Sequence, residues 1–147
     1  MLYQLLQILN KVIPAKTVYA HCDIPCAIYT PEPAHTAART VIRMVEKIEE
    51  LKGDPSSKEY QNAMSRFVTV KEEHAQICKE QLLILWTDYF KPEHIEMFPD
   101  LHETFWNAAK MCSKVKQEIN MGTSKELLEA VELIASMFEK AEAAKSK

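Results

Sequence analysis

A histidine and two cysteines lie within six positions near the start of the chain, at His21, Cys22 and Cys26. Imidazole nitrogens and thiolate sulfurs are common metal ligands, so these side chains could form a metal site. A Cys-x-x-x-Cys pair is equally compatible with a disulfide or with two unrelated thiols. Structural zinc is disfavoured because it would require a second ligand pair at similar spacing, and the other His and Cys residues are scattered singly.

The twenty residues before this cluster differ in composition from the rest of the chain. They contain two lysines and no acidic residue, with an apolar run from Leu2 to Leu9. Val18-x-Ala20 is compatible with cleavage by a signal peptidase, although the apolar run is short and no basic region precedes it. We interpret residues 1–20 as a removable leader, with a retained amphipathic helix as the alternative. Cleavage would change the net charge from −3 to −5, because it removes two lysines and no acid.

Cleavage after Ala20 would give His21 a free amino group, which is itself a metal ligand. The amine and imidazole of His21, the main-chain nitrogen and thiolate of Cys22 and the thiolate of Cys26 could then surround one ion. Pro25 has a fixed φ and no N–H, so it helps to bend the intervening residues into a hook. Two nitrogens and two thiolates in a plane suit Ni(II) or Cu(II), and an axial imidazole suits an oxidised, five-coordinate metal. Such donors would support a one-electron redox cycle on nickel.

Two separated stretches of the sequence resemble one known family. The first is His21-Cys22-Asp23-Ile24-Pro25-Cys26-x-x-Tyr29, and the second is LWTDYFKPEH (Leu85 to His94), followed by FPDLH at 98–102. They resemble, in order, the nickel hook and the second characteristic stretch of the nickel-containing superoxide dismutases. The resemblance extends from His21 to near the C-terminus.

This resemblance implies an enzyme that converts superoxide to dioxygen and hydrogen peroxide by alternating between Ni(II) and Ni(III). It also implies a homohexamer of four-helix bundles and a leader removed by a dedicated peptidase. His21 would bind nickel through its amine and imidazole, Cys22 through its main-chain nitrogen and thiolate, and Cys26 through a second thiolate.

The resemblance also implies roles for residues around the metal. Asp23 would help to hold the hook, while Tyr29 and Tyr89 would screen its open face and order water near it. Lys91, beside Tyr89, would attract the superoxide anion to a chain that is negative overall. The alternatives are that the two tyrosines are ordinary packing residues and that Lys91 is a solvated loop charge.

Two positions depart from the pattern of some family members. Ala37 replaces a glutamate that supports the axial imidazole, and His74 replaces its arginine partner. Other groups must then orient the ring of His21, or it is held less firmly. His74 could take over part of this role or be a structural histidine on an apolar helix face. No separate metal signal attaches to His35, His94 or His102.

The rest of the chain favours an all-α fold, an antiparallel up-down four-helix bundle that carries the hook at residues 21–29. Only two of the 147 residues are glycine, and apolar residues recur at spacings of three and four in four segments. The predicted helices begin at Ala37, at a capping box of Ser56 with Glu59, at a second box of Asp100 with Glu103, and at Thr123 or Ser124. They end at Gly53, near Leu85, at Gly122 and in a fraying end from Lys140. Residues 86–99 are predicted to form a packed loop with a short turn at 93–96.

Charge and hydropathy exclude several classes of function. A net charge of −3 without a Lys/Arg cluster argues against nucleic-acid binding. No segment reaches the roughly 18 apolar residues that a membrane span needs. Cys78 and Cys112 lie in helical patterns and are expected to be small buried hydrophobes. We expect a cytoplasmic protein of one domain, residues 21–147, after the leader is removed.

Two other classes of function remain open. One is a non-enzymatic nickel-handling protein that uses the same hook for storage or transfer, and the other is a secreted helical protein with a Cys22–Cys26 disulfide. The second aromatic motif opposes both, because neither requires it. In the uncleaved chain the amine of His21 is an amide, so there we expect a metal-free or disordered hook preceded by helix-like leader residues.

Overall fold

A computed structural model describes residues 28–145, which are helical over most of their length. The predicted leader, and the predicted hook apart from Ile28 and Tyr29, lie outside the described residues. A π-helical turn, Leu85–Tyr89, extends the second helix, and none of the described helices has the length and apolar character to cross a membrane. The helices are α1 (Glu32–Glu49), α2 (Lys58–Ile84), α3 (Pro92–Met97), α4 (Leu101–Gln117) and α5 (Met121–Lys145).

The four long helices form a closed ring in which α1 and α4 each pack against both α2 and α5. Neighbouring helices run antiparallel. For example, Lys71 near the middle of α2 bonds to Val115 at the end of α4, whereas Trp86 beyond α2 bonds to His102 at the start of α4. The predicted all-α, up-down four-helix bundle is confirmed.

Small side chains let the helices approach closely. In α1, Ala38, Val41 and Val45 are fully buried at the three- and four-residue spacing that predicted this helix. Cys78 of α2 and Cys112 of α4 are likewise fully buried, which confirms them as small core residues.

The structure corrects the predicted start of one helix and the predicted caps of two others. α1 begins at Glu32 rather than at position 37, because Pro33 falls in the first turn, where a helix needs no N–H donor from it. Ser57, not Ser56, caps α2 by accepting a hydrogen bond from the Tyr60 N–H at 3.2 Å. Asp100 precedes α4 as predicted, but its side chain makes no capping bond.

The turn between α4 and α5 also differs from the prediction. α4 ends at Gln117, and Gly122 lies inside the first turn of α5 instead of ending the preceding helix. Asn120 caps α5, because its side chain accepts a hydrogen bond from the Thr123 N–H at 3.1 Å. Thr123 and Ser124 are therefore within the helix that they were expected to cap.

A buried lysine explains why α4 stops where it does. The side chain of Lys71 is only 1% exposed, and its ammonium group donates to the carbonyls of Val115, Lys116 and Glu118, the last two at 3.0 Å. These carbonyls lie at the C-terminus of α4, where main-chain acceptors lack partners within the helix and the helix dipole favours a positive charge. Lys71 thus caps α4 from another helix.

The aromatic segment 86–99 is more regular than the predicted loop. The chain stays helical through the π-helical turn to Tyr89, closed by a hydrogen bond of 3.0 Å from the Phe90 N–H to the Leu85 carbonyl. The short turn predicted at 93–96 is part of α3, which begins at Pro92. The prediction that this segment is packed is confirmed by the burial of Tyr89 and Phe90.

The capping role of Lys71 can be tested by replacing it with methionine, which has a similar length. We expect Lys71→Met to lower the free energy of unfolding by about 3 kcal/mol, because it leaves buried carbonyls without a donor. Lys58→Met, at an exposed position of the same helix, should change it by less than about 0.5 kcal/mol. Urea denaturation measures both, and equal stability of the two variants would contradict the role.

Candidate functional site

One end of the bundle carries a cluster of rings centred on Tyr89, which is 5% exposed. The Tyr29 ring meets it edge-on at 5.8 Å between centroids, and the Phe90 ring does so at 4.9 Å. The His94 ring lies parallel to it at 5.8 Å, and Phe138 of α5 lies at 4.3 Å. We call these five residues the aromatic wall. Its members come from four separate segments, so the wall joins the start of α1, the end of α2, α3 and the end of α5.

The π-helical turn places two adjacent aromatic residues in the same core. Leu85 and Tyr89 are buried at its two ends, and the chain becomes extended at Phe90, with φ −74° and ψ 135°. Tyr89 therefore leaves the helix toward the interior, and the change of direction turns Phe90 inward as well. An α-helix that continued without this change would place successive side chains about 100° apart.

The hydroxyl of Tyr89 donates a hydrogen bond of 2.5 Å to Oε1 of Glu142. The same oxygen accepts a bond of 2.6 Å from Nζ of Lys145, and this Nζ lies 4.4 Å from the centroid of the Tyr89 ring. Burial, with the bond to Glu142, raises the pKa of Tyr89 well above its ordinary value. The bonds from Lys145 and Tyr89 lower the pKa of Glu142. At neutral pH the phenol is protonated and the carboxylate is charged.

His94 connects the aromatic wall to Lys91. The main-chain N–H of Lys91 donates to the ring nitrogen Nδ1 of His94 at 2.9 Å. The main-chain N–H of His94 donates to the Lys91 carbonyl, also at 2.9 Å. Burial lowers the pKa of His94, which favours the neutral ring that this acceptor role requires. The backbone of Lys91 is held in place while its side chain is exposed.

The structure brings together two of the predicted site residues and places a third nearby. Tyr29 and Tyr89 are in contact, and Lys91 follows Tyr89 by two positions. Four other predicted site residues lie outside the described residues: His21, Cys22, Asp23 and Cys26.

The two departures from the family pattern lie together in a groove of about 420 Å³ between α1 and α2. Ala37 is buried, whereas His74 is half-buried and so is not fully part of the core. Nδ1 of His74 lies 2.9 Å from the Val70 carbonyl, to which it can only donate. The neutral ring then keeps its other nitrogen as an acceptor.

Within residues 28–145 no group of three or more His, Cys, Asp or Glu side chains could hold a metal ion. Cys78 and Cys112, which lie next to each other in the core, do not form such a group either. A hydrogen bond with Cys112 and burial raise the pKa of Cys78, so its thiol stays protonated.

Sequence reasoning missed Glu142, Lys145 and the role of His94. The predicted fraying from Lys140 is wrong, since α5 continues to Lys145. The only local signal was the three-residue spacing of Glu142 and Lys145, which suits an ion pair on a helix. Nothing in the sequence connects that pair with Tyr89, 53 positions earlier.

Comparison with known proteins identifies the family. The sequence profile of the nickel-containing superoxide dismutases matches residues 16–142. The chain belongs to this family. The resemblance drawn from the two motifs is thereby confirmed, and with it the assignment of the chain to a family of nickel enzymes.

Relatives of known function and known structure agree with this assignment. The nickel superoxide dismutase of Streptomyces coelicolor is 32% identical over 125 residues, 85% of this chain and 90% of that protein. The enzyme of Streptomyces seoulensis is 33% identical over the same length. A native nickel superoxide dismutase structure aligns with a TM-score of 0.72 at 30% identity, covering 83% of this chain and 99% of that one. A nickel superoxide dismutase structure with nickel ligation of the oxidised state aligns with a TM-score of 0.73 at 32% identity, covering 84% of this chain and 99% of that one.

The buried, neutral state of His94 predicts a specific dependence of stability on pH. Its folded-state pKa is below the ordinary 6.5, so its contribution to stability is present above about pH 6.5 and is lost as the pH falls through the folded-state value. We expect a His94→Gln variant to lose less stability than wild type between pH 7.5 and 5.5 in urea denaturation. An unaltered dependence in His94→Gln would contradict the assignment.

Proposed function

We propose that this chain, once cleaved before His21, is a superoxide dismutase that converts two superoxide anions and two protons into dioxygen and hydrogen peroxide with bound nickel. The observation that carries the proposal is the family match over residues 16–142, which includes the predicted hook. The contact between Tyr29 and Tyr89 supports it, because the two motifs meet in space.

The proposed nickel ligands are His21, Cys22 and Cys26. An amine, an imidazole, a main-chain nitrogen and two thiolates would form a donor set that suits both Ni(II) and Ni(III). Nickel bound there supplies one-electron chemistry between these two states. The other two cysteines, Cys78 and Cys112, are fully buried in the core and are poor competitors for the metal.

The aromatic wall supports a role for Tyr29 and Tyr89 beside the metal. Tyr29 follows Cys26 by three positions, so covalent geometry keeps their Cα atoms within about 11 Å of each other. Tyr29 in turn contacts Tyr89. The two phenols would screen the open face of the site and order water there, and Asp23 would help to hold the hook.

His74 is the described side chain best suited to support the imidazole of His21. It shares a groove with Ala37, where some relatives carry a supporting glutamate, and with Glu32 at the start of α1. Because Nδ1 of His74 donates to Val70, its Nε2 can accept a hydrogen bond from a second imidazole.

Several features of the mature protein belong to the same proposal. Residues 1–20 form the leader, removed by a dedicated peptidase, and residues 21–147 form the enzyme. We also expect assembly into a homohexamer, for which exposed apolar side chains such as Trp106 and Leu133 are available. We expect the enzyme to be cytoplasmic, and the free thiols of Cys78 and Cys112 are compatible with a reducing compartment.

The proposal is tested with protein that begins at His21 and is loaded with Ni(II). We expect rapid superoxide decay by this form, and loss of activity in both the uncleaved chain and a Cys26→Ser variant. The reason is that each change removes one nickel donor. Stopped-flow absorbance follows the decay, and thiolate-to-nickel charge-transfer absorption reports binding separately.

Cys78→Ala is the matched control, because it removes a thiol that lies in the core and should keep both nickel and activity. Equal activity of the cleaved, uncleaved and Cys26→Ser forms would end the enzymatic proposal. Reversible nickel binding without superoxide turnover would instead indicate a nickel-handling protein. A Cys22–Cys26 disulfide without metal binding would favour a metal-free secreted protein.

Lys91 should attract the substrate, since superoxide is an anion and the cleaved chain has a net charge of −5 once the two leader lysines are lost. We expect Lys91→Gln to lower kcat/KM about threefold and to weaken its decrease with ionic strength. Lys52→Gln, in the connection after α1 at the opposite end of the bundle, should leave both unchanged. An identical salt dependence in Lys91→Gln and wild type would show that Lys91 is only a solvated charge.

A further inference from the structure

The last turn of α5 carries two charged residues that contact Tyr89. Oε1 of Glu142 accepts a hydrogen bond of 2.5 Å from the Tyr89 hydroxyl, and the same oxygen accepts one of 2.6 Å from Nζ of Lys145. Nζ of Lys145 also lies 4.4 Å from the centroid of the Tyr89 ring. Two interactions therefore connect this helix end to one phenol from a different part of the chain, and the Glu142–Lys145 bond joins the two partners.

This arrangement is more specific than an ordinary surface ion pair. The side chains of Glu142 and Lys145 are each about half exposed, and an isolated pair of that kind contributes little to stability. Tyr89, however, is 5% exposed, and a buried hydroxyl requires a partner. Charge-assisted hydrogen bonds are among the stronger ones, so Glu142 determines where the Tyr89 proton lies.

A phenol has one proton to donate and otherwise can only accept hydrogen bonds. When its proton is committed to Glu142, Tyr89 can bind a partner that carries an O–H, such as water or hydrogen peroxide. It cannot donate to an anion that has no proton, such as superoxide or azide. The carboxylate thus selects which species the phenol binds.

We propose that Glu142 is a positioning residue of the dismutation site, which accepts the hydrogen bond of the Tyr89 hydroxyl and so leaves the phenol oxygen as an acceptor toward water and protonated product. Lys145 holds the carboxylate in place. This inference rests on the proposed function, which puts Tyr89 beside the nickel site. It adds Glu142 and Lys145, near the C-terminus of the sequence, to a site whose proposed nickel ligands lie near the N-terminus.

The direct readout is the ionisation of Tyr89 in the nickel-free cleaved protein. The groups that face the phenol are Glu142 and Lys145 from α5, His94 from α3 and Tyr29 before α1. We expect Glu142→Gln to lower the pH at which Tyr89 forms tyrosinate, measured by ultraviolet absorbance, with Tyr89→Phe used to assign the signal. Glu139→Ala, an exposed carboxylate one turn earlier, should leave this pH unchanged.

Kinetics of the nickel-loaded enzyme provide the second readout. We expect Glu142→Ala to lower kcat/KM by about tenfold, the size of a lost charge-assisted hydrogen bond, because the freed phenol no longer orders water beside the site. We expect azide to inhibit this variant at about tenfold lower concentration, because the freed phenol can donate a hydrogen bond to it. In a Tyr89→Phe background, Glu142→Ala should have no further effect on either quantity. Thermal denaturation checks that each variant is folded.

The outcomes separate this inference from the proposed function. An active wild-type enzyme whose kcat/KM and azide inhibition are unchanged in Glu142→Ala would overturn the inference alone. So would an equal effect of Glu142→Ala with and without the Tyr89 hydroxyl, or an unchanged ionisation of Tyr89 in Glu142→Gln. A cleaved, nickel-loaded wild type without dismutase activity would overturn the proposed function and this inference with it.

Discussion

The burial of one phenol organises the end of the bundle where the site is proposed. Tyr89 must leave water almost completely, yet its hydroxyl must keep a hydrogen-bond partner. The π-helical turn directs the ring inward, Phe138 and Phe90 pack against it, and α5 has to extend to Glu142 to meet the hydroxyl. Because these contributions come from separate segments, the position of Tyr89 depends on the whole bundle being folded.

The same end of the molecule concentrates polar groups around an apolar cluster. Lys145 lies over the ring of Tyr89, and the backbone of Lys91 is fixed through His94. Glu142 offsets the charge of Lys145, whereas Lys91 is exposed and is in no ion pair among the described residues. An exposed, unpaired charge acts over longer distances than a paired one. The two lysines therefore suit different tasks, attraction of an anion for Lys91 and placement of a carboxylate for Lys145.

The sequence was sufficient to predict the four long helices, because each depends on apolar residues at helical spacing, as Ala38, Val41 and Val45 show in α1. The exact ends of helices were less predictable where distant residues determine them. α4 stops at Gln117 because Lys71 of α2 binds its last carbonyls, a contact across more than 40 positions. A glycine at position 122 was the stronger local signal and gave the wrong boundary.

The residues of the candidate site were likewise predictable only where a local sequence pattern contains them. The motifs contained Tyr29, Tyr89 and Lys91, since these residues belong to stretches whose pattern is visible in a single sequence. Glu142 lies outside both motifs, in a segment rich in Lys, Glu and Ala that suggested a fraying end. Only the packing of α5 against the aromatic wall shows its contact with Tyr89. Local patterns can identify residues near a site, whereas partners that the fold brings to them require the structure.

The four cysteines show how burial can separate two kinds of sulfur chemistry in one chain. Cys78, beside Cys112 in the core, has a raised pKa, and a protonated thiol reacts slowly with peroxide. The proposed ligands Cys22 and Cys26 must instead be thiolates to bind nickel. An enzyme that releases hydrogen peroxide exposes such thiolates to oxidation by its product. A bound metal would protect them, because it engages the electron pairs of the sulfur atoms. Nickel binding should therefore accompany the cleavage that frees the amine of His21, since a cleaved but empty hook would carry the thiolates most open to oxidation.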